Sequence, residues 1–581
     1  MQFLQKILQQ YETFASLKGD SIESRVIRAE GLQQSGTILL QLSEEQEARA
    51  RFEAAAKIYQ KLLEETDQAD YRRQLASTLV DVGLSMQNFG ELAAAEQAAN
   101  EGLAVLAPVL VKEAGASDPV AWEAFANLKQ LLGGIQIAAG RMEEALVSFG
   151  QSKDVLEKRR ASDPESHETL ARLAESYRAM SDACQQLGDI AGQEDYSHQA
   201  LALYRVLVAK FPDNRRFSEG FTWACYDRSY AHEFFERNHQ AIEEMTEAVE
   251  LAGKLAEAYP LSDEFRGVLG GMQIRRGAIH ARMGHLRLAE KDLKNAVALF
   301  EKMIIGTVDG AQSYRQLLKA DRLLAMLQYT YGQFEESEAT LRKAKHHAEL
   351  FAVSYPETAA QSWEIHSLPY DLAMLLADRG QLADAETELQ NGLAAAEAKS
   401  RVRFDRIHAQ SILQSKCGLV KLKIWGDEKL RAKEFTDVAS AFLQELEEDL
   451  PESSPDWDII AEYHLQLANF YDGLGDLQGA SAHMARHLPI LNRIAERSPY
   501  RPAGKVTILN ALIERGDILA EKGDYRLASQ QLEEAEDTVT DAMKSYPGEV
   551  SLLRSQEEVN WARGRLLFGQ QDYAGAMRYF D

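Results

Sequence analysis

A chain of 581 residues in which 45% are apolar and 27% charged can bury a continuous core, which excludes a disordered polymer and a membrane-embedded one. Its 64 Lys and Arg face 90 Asp and Glu, a net charge of −26, so its surface repels the phosphate backbone that supplies most nucleic-acid affinity, and nucleic acid is not an expected partner. The longest uncharged apolar stretch, Gly102–Val111, falls far short of the ~20 residues that cross a bilayer, so no direct membrane insertion is expected.

In chain order, residues 1–14 carry a helical apolar spacing (Leu4, Ile7, Leu8, Tyr11, Phe14) broken by charges, unlike a secretory leader. Glycines then end amphipathic stretches at Gly90, Gly140, Gly188, Gly284, Gly332, Gly380, Gly426, Gly475 and Gly523. From 140 to 380 the step is 48 residues, with Glu236 in the one missing place. A proline follows 24 residues after most of these turns, at Pro164, Pro212, Pro260, Pro356, Pro499 and Pro547. Glycine supplies a left-handed helix cap and proline stops the next helix, so each period is two helices.

Two further columns keep this register. Seven residues before each turn stands a small residue: Gly83, Gly133, Ser181, Ser229, Gly277, Ala325, Ala373, Ala468, Gly516 and Gly564. Small residues also recur five residues after the turn (Ala95, Ala145, Ala241, Ala289, Ser337, Ala385, Ala480, Ala528, Ala576) and twelve after it (Ala200, Ala248, Ala296, Ala344, Ala535). Fixed small positions mark close helix contacts. About eleven hairpins are predicted, with helices of roughly 18 to 22 residues, ~30 Å long.

Repeat eight is expected to deviate, with a charged insertion Asp427–Lys433 beside the turn at Gly426 and a late Pro455. His487 occupies a small-residue position, which predicts loose packing or a bend at Pro489. Both ends fall inside a repeat: residues 1–17 read as a second helix without its first, and Met577, Tyr579 and Phe580 end the last one on apolar side chains. A short capping helix would account for that end; a segment of a longer protein is the expectation preferred. The organisation predicted is one continuous array over 1–581: an incomplete repeat over 1–42, regular 48-residue repeats over 43–426, an irregular repeat over 427–455, and further repeats over 456–581 ending in an incomplete one.

With these columns in place, the sequence resembles the tetratricopeptide repeat, whose small, Gly, Ala and Ala positions have the same offsets. That family's repeat has about 34 residues. The longer beat here corresponds to about seven extra residues, nearly two turns, in each helix, which lengthens a helix without rotating its buried stripe away. The resemblance implies an all-α solenoid of antiparallel helix hairpins with a right-handed superhelix. The segments FLQKILQQYETFASLKGD, ARFEAAAKIYQKLLEE and YRRQLASTLVDVGLSMQNFGELAAAEQAANEGL are also similar to the repeat region of planctomycete-type bacterial serine/threonine kinases, which implies bacterial signalling and a possible association with a kinase.

Chemistry is hard to seat in this sequence. No phosphate-binding loop, dinucleotide fingerprint, kinase element or serine-hydrolase elbow occurs, so no catalytic residue and no cofactor is expected. Cys184, Cys225 and Cys417 lie on separate predicted helices without CxxC spacing, favouring packed thiols and a cytoplasmic location. The alternative location is the soluble part of a membrane-anchored longer protein. His483 and His487, four apart, could share a metal but lack a spaced third ligand, so no metal is expected. His346 and His347 are expected to be solvated. The runs Lys158-Arg159-Arg160, Arg215-Arg216 and Arg275-Arg276 are expected near helix ends, complementing the helix dipole or simply solvated.

By the tetratricopeptide resemblance, first helices line a concave groove at positions ten, six and three, and sometimes thirteen, before each turn. That rule selects Arg178, Trp223, Tyr226, Tyr230, Arg322, Met326, Tyr329, Tyr370 and Met374, side-chain types enriched at protein-binding hot spots. Trp223, Tyr226 and Tyr230 could stack a ligand side chain while Arg178 and Arg322 grip a carboxylate. The competing reading makes several of them interhelix core. The outer repeats offer Gln87, Asn127, Glu462, Asn469, Asp472 and Asp517, polar and mixed in sign. The expected function is a non-enzymatic scaffold that holds a protein or peptide partner, as an extended segment or a helix. The alternative is the regulatory or sensory repeat arm of a bacterial serine/threonine kinase.

Overall fold

The computed structural model describes every residue except 1, 43, 113–117, 188, 235–236, 261, 305–309, 400–405, 451–453, 455, 498–501, 546–549 and 581. The described residues form 26 helices and no strand. Two compact units divide the chain, Met1–Glu244 and Met245–Asp581. The first holds α1 (Gln2–Ala15), α2 (Ile22–Gln41), α3 (Glu45–Glu65), α4 (Ala69–Asn88), α5 (Leu92–Lys112), α6 (Pro119–Ala138), α7 (Met142–Ser162), α8 (His167–Leu187), α9 (Ile190–Lys210), α10 (Arg215–Phe234) and the start of α11 (Asn238–Ala258). The second continues with α12 (Asp263–Arg282), α13 (Leu286–Met303), α14 (Gly310–Thr330), α15 (Phe334–Ser354), the short α16 (Pro356–Ala360), α17 (Trp363–Asp378), α18 (Leu382–Lys399), α19 (Arg406–Trp425) and α20 (Lys429–Asp449). It ends with α21 (Trp457–Gly473), α22 (Leu477–Arg497), α23 (Pro502–Glu521), α24 (Tyr525–Ser545), α25 (Val550–Gly569) and α26 (Tyr573–Phe580). Within each unit, successive helices pack as sequential hairpins.

The turns work as the glycine column implies. Gly90, Gly140, Gly284, Gly332, Gly380, Gly475 and Gly523 take φ between 73° and 88°, a conformation that costs other L-residues steric strain. At Gly475 the amide donates to Asp472 at 2.8 Å and the next amide, Asp476, donates to Tyr471 at 2.8 Å, so two end carbonyls of α21 are satisfied. Gly188 and Glu236 lie outside the described residues, as do Pro455, Pro499 and Pro547.

The small columns meet across each hairpin. A Cβ on Gly133 would come within 2.6 Å of the Phe149 ring, and one on Gly277 within 3.1 Å of Leu293 and 3.3 Å of the Ala289 carbonyl. Where serine replaces the small residue it bonds its neighbour: Ser337 Oγ donates to the Ala325 carbonyl at 2.8 Å. Ala95, Ala145, Ala289, Ala385, Ala480 and Ala528 are fully buried. Larger side chains fill the layers between hairpins, Phe52, Tyr59 and Leu75 in the first unit, Phe300, Phe351 and Leu413 in the second. Each buried apolar side chain of this size contributes about 1.5–3 kcal/mol over exposure. Cys184, Cys225 and Cys417 are buried thiols within these layers, in no disulfide.

Two expectations need correction. The turn of repeat eight is Asp427, not Gly426: Asp427 has φ 56° and makes the same two-bond cap, Asp427 to Ile424 at 3.1 Å and Glu428 to Lys423 at 2.8 Å. There is no charged insertion, because Lys429–Lys433 form the start of α20. Counted from Asp427, the steps on to Gly475, Gly523 and Gln571 (φ 66°) are each 48 residues, and Pro451 stands at the 24-residue position. The irregular segment 427–455 is thus an ordinary beat whose turn uses aspartate, a residue that tolerates left-handed backbone. Second, α22 runs unbroken past Pro489, and His487 is buried with Nδ1 2.8 Å from the Ala461 carbonyl, flanked by buried Met484, Leu488 and Leu491. A hairpin that the glycine column does not mark, α2–α3, joins without a glycine, and eleven hairpins are packed among the described residues.

Candidate functional site

In the first unit, the candidate positions lie on α8 and α10. Trp223, Tyr226 and Tyr230 are half-buried and form a ladder along α10, with ring centroids 5.5 Å and 5.2 Å apart, both pairs edge-on, and the two tyrosine hydroxyls 3.0 Å apart. Such pairs add about 0.5–1.5 kcal/mol beyond their burial. Arg178 is already occupied: its Nε donates to Asp227 Oδ2 at 2.7 Å, on the next first helix. Farther toward the start of this unit, a cleft of about 510 Å³ is bordered by Asp81, Gln87, Asn127, Gln130, Arg172 and Arg216. This brings the predicted Gln87 and Asn127 together, among these polar groups and the apolar Val80, Leu84, Leu131 and Phe149. Arg172 donates to Asn127 Oδ1 at 2.6 Å, and Arg216 reaches Glu168 at 3.0 Å and Glu175 at 2.9 Å. Burial raises the Asp81 carboxyl above its usual range while the hydrogen bond from Gln33 pulls it back.

In the second unit, α14, α17, α19 and α21 present an apolar face. Arg322, half-buried, repeats the arrangement of Arg178, with Nε 2.7 Å from Asp371 Oδ2. Burial raises Asp371 and Asp227 alike, partly offset by their arginines. Each arginine's charge is thus paired through Nε with a carboxylate, an internal tie between neighbouring first helices. Met326 is 54% exposed and Tyr329 40%. Tyr329 donates its hydroxyl to Asp378, and that bond raises its phenol above the usual range.

Tyr329, Tyr370 and Met374 converge on one cleft of about 480 Å³, completed by Asp378, Lys421, Ile424, Trp425 and Phe470. All five of these are absent from the sequence-based selection. The signal was present for two of them: counted from the true turn at Asp427, Lys421 and Ile424 fall six and three residues before it, the positions the groove rule uses. Asp378, Trp425 and Phe470 obey no such spacing. Of the outer polar positions in this unit, Asp517 accepts from Arg565 at 2.6 Å, another tie between first helices, and Glu462 accepts from Gln466 at 3.2 Å.

Histidine and arginine positions differ in part from expectation. His346 is exposed, but His347 is buried with Nδ1 2.8 Å from Asp321 Oδ2. Arg275 and Arg276 stand in the middle of α12, where Arg276 pairs with Asp292 at 2.7 Å, not at a helix end. His483 faces His464, Nδ1 to Nδ1 at 2.8 Å, with Ser440 Oγ 3.0 Å from its Nε2. Among the described residues no cluster of three or more His, Cys, Asp or Glu side chains could hold a metal ion, and no helix is long and apolar enough to cross a membrane.

Hairpins on a regular beat, packed through small residues and capped by left-handed turns, define the class as a tetratricopeptide-like helical-repeat protein. No protein-family model and no curated protein matches the sequence. Among solved structures, apo RapI is similar at 8% identity over 73% of this chain and 99% of its own, with a TM-score of 0.41. The human IFIT1 dimer with PPP-AAAA is similar at 14% identity over 90% and 92%, TM-score 0.34, and BtubC from P. vanneervenii at 20% over 44% and 90%, TM-score 0.33. These are likenesses of helical arrangement and lend no support to a particular activity or partner.

Proposed function

We propose that the protein is a non-enzymatic interaction scaffold that holds an extended peptide or a partner helix along its first helices. One observation carries this reading: the second unit exposes Tyr329, Ile424 and Trp425 together around a cleft, with Met326 exposed one turn before Tyr329 on α14, while Arg322 on the same helix is tied to its neighbour. Exposed aromatic and methionine side chains on a scaffold braced by its own ion pairs supply contact area at low ordering cost. The cleft is open and its polar groups are few, which suits recognition better than the desolvated chemistry of an enzyme. Affinity for a captured partner should fall by about thirtyfold, ~2 kcal/mol, in Met326→Ala or Tyr370→Ala. Leu430→Ala, on the 86%-exposed surface of α20, is the control; equal losses in all three would defeat the reading. A second reading, the regulatory arm of a serine/threonine kinase, is supported only by the resemblance of the opening segments, and co-purification with a kinase from the native host would test it.

A further inference from the structure

In the cleft of the second unit one cation stands apart from the arginines of the first helices. Arg172, Arg178, Arg216, Arg322 and Arg565 each meet a carboxylate or amide oxygen of a neighbouring helix. Lys421 does not. Its Nζ donates to the Tyr370 hydroxyl at 2.9 Å and lies 5.6 Å from that ring's centroid, with no carboxylate of the described residues in ion-pair reach. Across the cleft Asp378 accepts from Tyr329 through Oδ2, and Glu462 on α21 accepts from Gln466 rather than from the lysine. An ammonium has three hydrogens. Two of them on Lys421 remain without an acceptor among the described residues, in half-buried surroundings made largely of aromatic and aliphatic groups, where an unpaired charge is costly.

We infer that this cleft is an anchoring subsite for an internal acidic–hydrophobic segment of an extended partner chain. A Phe, Trp or Leu side chain of the partner enters the 480 Å³ space against Trp425, Phe470 and Met374. A neighbouring Asp or Glu side chain takes the hydrogens of Lys421, a charge-assisted bond about twice as strong as a neutral one. Asp378, exposed and with Oδ1 lacking a side-chain donor, accepts a backbone N–H from the same segment. That last contact favours an internal segment over a chain end, because a terminal carboxylate has no following N–H and would face Asp378 directly. The net charge of −26 does not oppose the pairing: exposed charges are screened within ~10 Å, whereas Lys421 acts at contact distance. This assignment rests on the groove reading above and names the chemistry of its ligand.

The test is selection of heptapeptides, displayed internally so that no free terminus is offered, on the full chain and on Lys421→Glu. The wild-type protein should enrich peptides with Asp or Glu within two residues of Phe, Trp or Leu, and Lys421→Glu should replace the acidic preference with a basic one. Capped synthetic peptides from the wild-type selection should bind at least tenfold more weakly to Lys421→Met and to Trp425→Ala, with melting temperatures of both variants showing that they fold. Persistence of the acidic preference in Lys421→Glu, or affinity within twofold in Trp425→Ala, overturns the subsite. Free-acid peptides binding where the capped ones do not would overturn the internal segment. If those results appear while Met326→Ala or Tyr226→Ala still abolishes binding, the subsite fails and the groove reading stands. If nothing is enriched, or no substitution on the first helices weakens binding, both fail.

Discussion

Arg322 donates its Nε hydrogen to Asp371 at 2.7 Å, joining two first helices across 49 residues of sequence. Arg178 and Asp227 repeat the bond at the same separation and distance in the other unit. A tie that recurs at one repeat offset behaves as a strut between neighbours. Arg322→Ala and Asp371→Ala should each cost ~1–3 kcal/mol, because each leaves a half-buried partner without its hydrogen bond, and the double variant should cost well under the sum. Urea denaturation of the four proteins measures this coupling; additivity within ~0.5 kcal/mol would mean that the pair is ornamental.

The contact of Gly277 with Leu293 and the Ala289 carbonyl leaves no room for a side chain. Gly277→Leu should destabilise by ~1–3 kcal/mol or more. Each repeat touches chiefly its neighbours, so the loosening should be local. Hydrogen exchange should rise in α12, α13 and α14, and an equal rise in α25 would contradict the linear array.

The corrected turn of repeat eight gives a direct contrast. Gly475 has φ 78° and cannot become alanine without strain, so Gly475→Ala should cost ~1 kcal/mol. Gly426 lacks that conformation, and a Cβ there would find its nearest neighbour, the Leu422 carbonyl, at 3.4 Å. Gly426→Ala should therefore be neutral or slightly stabilising in thermal melts. Equal destabilisation by both would restore Gly426 as the turn.

Much of this architecture was legible because the residues that set it are the ones side-chain chemistry constrains most: left-handed glycines, helix-stopping prolines, and Gly or Ala where backbones approach. Legibility failed where another residue could do the same job. Asp427 supplies the left-handed turn that glycine supplies elsewhere, and taking the adjacent Gly426 instead shifted the groove register by one residue, which hid Lys421 and Ile424. His347 and His487 looked surface-bound or disruptive because a buried histidine depends on a partner, Asp321 or the Ala461 carbonyl, that lies 26 residues away. Arg178 and Arg322 were selected by position, but their partners, a repeat further on, decide what they can bind.

The histidine pair between α21 and α22 makes stability sensitive to acid. Burial depresses His464 to about 3 and His483 to about 4, and the nearby Arg486 adds to both. These folded values lie below the unfolded value near 6.5, so the fold favours the neutral rings. Their contribution is complete above about pH 6.5 and is lost as pH falls toward the folded values, at up to ~1.4 kcal/mol per unit for each ring. Melting temperature should fall between pH 6.5 and pH 4.5 in the native chain. His464→Gln with His483→Gln should flatten that slope, and an unchanged slope would assign the acid response to other groups.

The central claim, that the first-helix surface of the second unit is where a partner is held, is most directly tested by photo-crosslinking in the native host. A photoreactive residue placed at Met326, exposed on α14, or at Ile424, exposed at the cleft, should give a discrete protein adduct. The same residue at Leu430 or Val353, exposed at 86% and 83% on second helices, should give little. Adducts confined to Leu430 and Val353, or equal from all four positions, would contradict the account.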